Sequence, residues 1–170
     1  MRRAAILAVL AAALASPAAA SAPALTFQVG LAPQIVARMN AIRASHGLRP
    51  MRLSRGLRAA ARQHSVEMAT KGYFDHSSAN GTAFWKRISR FYGSAGYRYW
   101  SVGENLYYES PNATAASALS AWMHSPEHRQ NILTREWRDV GVSAVHAVGA
   151  SGEYAGYAVT IITVDFGVRY

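Results

Sequence analysis

Glu104 stands in "SVGENLYY" (residues 101–108), between a valine–glycine pair and a leucine followed by two tyrosines. A glutamate directed into such an apolar, aromatic setting costs free energy unless a charge or a hydrogen-bond donor meets it. The rest of the sequence has to supply that partner, and the histidines are the groups that titrate near neutral pH. His124 and His128 have the i,i+4 spacing of a helical metal pair, but Ser125-Pro126 starts a new helix between them, so they do not share a face. His64 falls on an apolar stripe and reads as a core histidine. His46 precedes Gly47 at a helix end, where a cation suits the dipole, and His146 has no evident partner. No G-x-S-x-G, H-E-x-x-H or P-loop pattern occurs. The chain has no cysteine, which removes thiol nucleophiles, thiolate zinc sites and disulfides together.

The elements that must position these groups are legible from periodicity. Residues 32–47 carry Ile35, Met39 and Ile42 at helical spacing and end on Gly47. Residues 53–72 form a clearer helix. Ser54 caps it, Leu57, Ala60, Ala61, His64 and Met68 form one stripe, and Gly72 takes the C-terminal glycine position. Asn80-Gly81 marks a turn in the loop that follows. A third helix is predicted from a Thr82 cap, with Phe84, Ile88 and Phe91 on its apolar side. Residues 97–108 read as a strand passing through Gly103. A fourth helix follows with Asn112 as cap, and a short fifth has Ser125 capping, Pro126 at its first position and Glu127 in its first turn. "DVGVSAVHAV" and "YAGYAVTIITVDFGVRY" read as two final strands joined by a hairpin loop at 149–153. Helices first and antiparallel strands last imply an α+β domain with helices on a short sheet.

Composition narrows the setting. The first residues, two arginines, an apolar run and then Ala18-Ala19-Ala20, have the layout of a secretory signal peptide over 1–20. Its apolar run is shorter than the roughly 20 residues of a membrane span. A short segment, 21–32, would then lead into one domain over 33–170, with no transmembrane segment after cleavage and nothing that demands more than a monomer. The protein is expected to be secreted, to the periplasm or beyond the cell. Formal net charge is +9, from 18 basic and 9 acidic residues; without Arg2 and Arg3, 16 basic residues remain against 9. Such a balance favours an anionic envelope polymer, a lipid headgroup or a small anionic ligand. Nucleic acid is not expected, since no recognisable module accompanies the charge.

Five stretches, "YFDH", "GYRYWSVGENL", "AWMHSPEHRQNIL", "DVGVSAV" and "VTIITVDFG", follow one another as in the CAP superfamily. This is the SCP domain of cysteine-rich secretory proteins, antigen 5 and pathogenesis-related plant proteins. The chain resembles that family over about residues 33–168, most closely its cysteine-free bacterial secreted members. The resemblance implies a three-layer α-β-α sandwich with a short central antiparallel sheet and a broad cleft. Carried over by motif, His76, Glu104 and His128 are the cleft residues, and the second glutamate of the family pattern is replaced by Ser125.

On that resemblance, Glu104 is tolerated because His76 and His128, or a cation they hold, face it. Two histidines and a carboxylate match the ligand set of an open zinc site. The same trio could act catalytically, with Glu104 as general base. Asn105, Ser125 and Arg129 are the candidate ligand-binding neighbours, Asn105 also tying loop backbone through its amide. The expected function is binding of a divalent metal or an envelope ligand (lipid, glycan or small molecule) in this cleft. The alternative is hydrolysis of an envelope polymer such as peptidoglycan, and a purely structural cluster is the third possibility. One carboxylate does not support a paired-carboxylate glycosidase.

Overall fold

The computed structural model describes residues 22–170; the expected signal peptide lies outside the described residues. Strand β1 (Ala24–Phe27) leads into helix α1 (Leu31–Ser45), a two-residue strand β2 (Arg52–Leu53) and helix α2 (Arg55–Lys71). Then come α3 (Phe84–Ser89), β3 (Trp100–Glu109), α4 (Ala115–His124), α5 (Pro126–Leu133), β4 (Asp139–Val148) and β5 (Val159–Arg169). The sheet order is β1-β4-β5-β3, with β2 beside β4. All pairings are antiparallel except β2 with β4, which is parallel. The two short strands β1 and β2 have too little periodic pattern to be read from sequence.

Alternation along β5 divides the molecule into layers. Ile162, Val164, Phe166 and Val168 join a core with Ile35, Met39, Leu119, Trp122 and Ile132 from α1, α4 and α5. On the opposite face Ile161 packs with Met68 and Ala69 of α2, and Ser65 of α2 donates its hydroxyl to Thr163 at 2.9 Å. The helices therefore cover both faces of the sheet, the α-β-α arrangement implied above. No described helix is long and apolar enough to cross a membrane.

Local signals on α2 behave as read. The Ser54 hydroxyl accepts from Leu57 N–H, and Gly72 closes the helix in the left-handed region at φ 69°. Other caps differ. Thr114, not Asn112, caps α4 through a reciprocal box with Ser117. Ala83, not Thr82, precedes α3, which ends at Ser89 and leaves Phe91 40% exposed rather than on its apolar side. The β4–β5 connection runs to residue 158 and contains a 3-10 turn at Gly152–Tyr154.

The outer edge of the sheet at β3 is occupied by side chains. Trp122 Nε1–H donates to the Leu106 carbonyl at 2.8 Å, and Asn131 Nδ2–H to the Glu104 carbonyl at 3.1 Å. Helices α4 and α5 are thereby fixed against the strand that carries Glu104.

Candidate functional site

Glu104 projects from β3 toward the α2 layer, and its side chain is 0% exposed. Its Oε1 accepts from His76 Nδ1–H at 2.8 Å, and its Oε2 is paired with the Arg87 guanidinium. Burial alone would raise the Glu104 pKa; the His76 hydrogen bond and the Arg87 charge outweigh it and hold the carboxyl below its ordinary value. The carboxylate is thus ionised and doubly bonded. The partner that the sequence demanded is two partners, and only one of them is a histidine.

Arg87 was not singled out from sequence. It sits on α3 at 0% exposure and also donates to the His76 carbonyl at 3.0 Å. The signal was its position between Phe84 and Ile88, on the side of a short helix that faces the core. Asp165 was also missed. It lies across the strand register from Glu104, is fully buried, and has no hydrogen-bond partner for either oxygen. Burial, and then the Glu104 charge, push its pKa well above the ordinary value. Its signal was a lone acid in the apolar run "VTIITVDFG".

A raised folded-state pKa for Asp165 means that folding favours the protonated form. No penalty applies below the unfolded value near 3.8; the penalty grows as pH rises above it and levels off at the folded value. Asp165→Asn is therefore expected to raise stability at pH 7 by about 1 kcal/mol or more. The gain should shrink toward zero near pH 3–4, as followed by urea unfolding across pH. A gain that does not vary with pH would exclude this account.

His76 and His128 are pushed in opposite directions. The Glu104 hydrogen bond raises the His76 pKa against the effect of burial. Burial lowers that of His128, and the charge of His76 lowers it further. His128 Nδ1 is hydrogen-bonded to the Ser125 hydroxyl at 2.9 Å. This hydroxyl does not cap α5, the role expected of it. Where the family pattern has a second carboxylate, a neutral hydroxyl orients the second histidine and supplies no charge to hold a proton on it. Nδ1 is engaged on both rings, by Glu104 on His76 and by Ser125 on His128, and the His76 side chain is 49% exposed.

Proton NMR titration is expected to place His76 above and His128 below the ordinary value of 6.5. The His76 contribution to stability is fully present below its unfolded value and lost as pH rises through the folded one. In Glu104→Gln, His76 should titrate at or below 6.5; an unchanged curve would contradict the pairing.

Asn105 is buried and donates Nδ2–H to the His128 carbonyl at 3.0 Å, while its Oδ1 accepts from Asn131 at 2.9 Å. It aligns α5 with β3 through these bonds. Arg129 is exposed in a shallow groove with Met123, His124, Gln130 and Leu133 that does not include His76, Glu104 or His128. His64 is the buried core histidine expected, bonded through Nε2 to the Asp75 carbonyl at 2.8 Å. His146, expected to be alone, meets Thr160 Oγ1 at 3.1 Å.

The zinc ligand set does not fit this arrangement. Both Glu104 oxygens are committed to His76 and Arg87. No group of three or more histidine, aspartate or glutamate side chains is arranged to hold a metal among the described residues. Two imidazole Nε2 atoms alone fall short of the usual three protein ligands.

The profile of the CAP, or cysteine-rich secretory protein, family matches residues 36–166. The chain belongs to this family. The CAP chain is 32% identical over 114 residues to the uncharacterized protein YkwD of Bacillus subtilis (strain 168). That match covers 67% of this chain but only 42% of YkwD, so it spans less than half of its relative. An outer surface protein from Borrelia burgdorferi shares the fold, with a TM-score of 0.66 at 17% identity over 80% of this chain and 90% of its own. An extracellular SCP-domain protein from Bacillus anthracis str. Ames gives 0.60 at 26% identity, over 81% of this CAP chain and 40% of that one.

Proposed function

We propose that the CAP cleft binds a polar ligand of the cell envelope between two pre-oriented imidazoles, His76 as donor and His128 as acceptor. The carrying observation is the buried Arg87–Glu104 pair bonded to the half-exposed His76, which fixes one ring and favours its cationic form. The Ser125 hydroxyl holds the other ring at Nδ1, and Asn105 holds the His128 backbone carbonyl. A charged donor beside a neutral acceptor suits sugar hydroxyls, amides and carboxylates, the groups that wall glycans and their peptides display. An extracytoplasmic setting fits the signal-like leader and the extracellular relative.

The opposed pKa directions favour one second reading. Two titratable groups pushed apart are an acid and a base in waiting. In an envelope hydrolase His128 would take the proton of an attacking water and His76 would protonate the leaving group. Glu104 is buried with both oxygens engaged, so it acts through His76 and is not itself the base.

One experiment separates the two. Purified protein and His76→Gln are incubated with peptidoglycan sacculi, with bound protein measured by sedimentation and released fragments by mass spectrometry. Retention of wild type alone, without fragments, supports binding. Fragments from wild type alone support hydrolysis. Equal behaviour of both proteins excludes this cleft from either role on that polymer.

A further inference from the structure

The edge of β4 has a gap. β2 pairs with it only at Asp139 and Val140, and β1 only from Val145 onward, so Gly141–Ser143 have no strand neighbour there. A cavity of about 340 Å³ opens at this gap, at the low end of ligand-pocket sizes. Phe27, Ala32, Val142 and Ala144 give it an apolar floor beside the polar Gln28 and Ser143. Its rim is Arg55, Arg58 and Arg62 of α2, residues at i, i+3 and i+7 that share one helix face. A rise of about 1.5 Å per residue spaces them by about 4.5 and 6 Å along the axis.

These arginines are uncompensated. None makes an ion pair among the described residues, and no acidic side chain lines the cavity. Arg62 lies over the Phe27 ring at 3.9 Å, which holds its guanidinium at the mouth. Val29, also on the wall, is 83% exposed. Clustered guanidiniums beside an apolar floor match a ligand with a phosphate at one end and hydrocarbon at the other.

We propose that this gap is a second ligand site, independent of the His76–His128 cleft, for a phosphate-bearing amphiphile. The phosphate is held by Arg55 and Arg58 with Arg62 beside them, and the first apolar carbons lie on Ala32, Val142 and Ala144. Inorganic phosphate fills only the polar half and binds more weakly.

The test titrates isotope-labelled protein with monomeric dihexanoyl-phosphatidylglycerol, its phosphatidylcholine analogue and inorganic phosphate, following backbone amides. The expected result is saturable shifts at Val142–Ala144 with phosphatidylglycerol, weakened about tenfold or more in the double variant Arg55→Gln/Arg58→Gln. Both arginines are exposed and unpaired, so that variant should melt as wild type does. Equal affinity for phosphatidylcholine, equal affinity for inorganic phosphate, or shifts at His76 and His128 instead would each overturn the proposal. Sedimentation with phosphatidylglycerol vesicles identifies the source. Arginine-dependent sedimentation supports the site as a bilayer contact, whereas short-chain binding without sedimentation supports it for a free ligand.

Discussion

Arg87→Met is expected to lose about 3–5 kcal/mol in guanidinium unfolding at pH 7. The guanidinium is the only full-time cation on the Glu104 carboxylate among the described residues, and both side chains are 0% exposed. Methionine has similar length and no charge, so the fold would have to bury a carboxylate with only His76 to balance it. The double variant Arg87→Met/Glu104→Gln removes that uncompensated charge and should recover much of the loss, as charge-free replacements of buried pairs often do. Acidity gives an independent check. The folded pKa of Glu104 lies below its unfolded value near 4.5, so its contribution is present above that value and lost as pH falls through the folded one. The gap between wild type and Arg87→Met should therefore narrow below about pH 4. A single variant within 1 kcal/mol of wild type would refute the ion triad as the support of the site.

Gly141→Ala should be nearly as damaging, about 3 kcal/mol or more, for a steric reason. A Cβ at this position of β4 would meet Arg58 N and the Leu57 carbonyl carbon, both at 2.1 Å. These are backbone atoms of the first turn of α2 and cannot rotate away, so the helix would have to lift from the sheet. Leu57 would leave its contacts with Ile88 and Tyr92, and the layer that covers Glu104 would loosen with it. A calorimetric melting temperature lower by roughly 5–10 °C is the expected readout. Gly30→Ala is the control: its φ is −78° and nothing lies within 4 Å of the added methyl, so a change under about 0.5 kcal/mol is expected.

How far the sequence leads can be judged residue by residue. Helix α2 was readable because its cap, stripe and terminal glycine agree with one another, and Glu104 because an acid among aromatics is anomalous. Such patterns report local periodicity and local conflict. Arg87 and Asp165 escaped because their meaning is non-local: the first meets Glu104 from another element, the second only through the β3–β5 register. Ser125 was read as a helix cap because its backbone position is that of one, while its hydroxyl serves His128 across one turn. Asn105 was placed among ligand-binding residues as well as scaffold, and its bond to the His128 carbonyl is the kind of tie a scaffold role requires. The strands β1 and β2 are too short to carry a period at all.

The bonds from Trp122 and Asn131 to the carbonyls of β3 have a consequence for self-association. A terminal strand with free backbone acceptors is a template on which a second molecule can add its own strand and begin a fibre. Here Leu106 and Glu104, at the middle of that margin, already accept from an indole and an amide. An incoming chain would have to expel the α4–α5 corner before it could pair. The contacts that hold α4 and α5 against β3 thus also close this edge of the sheet to strand addition, which a chain with no disulfide to restrain its partly opened forms has particular reason to prevent.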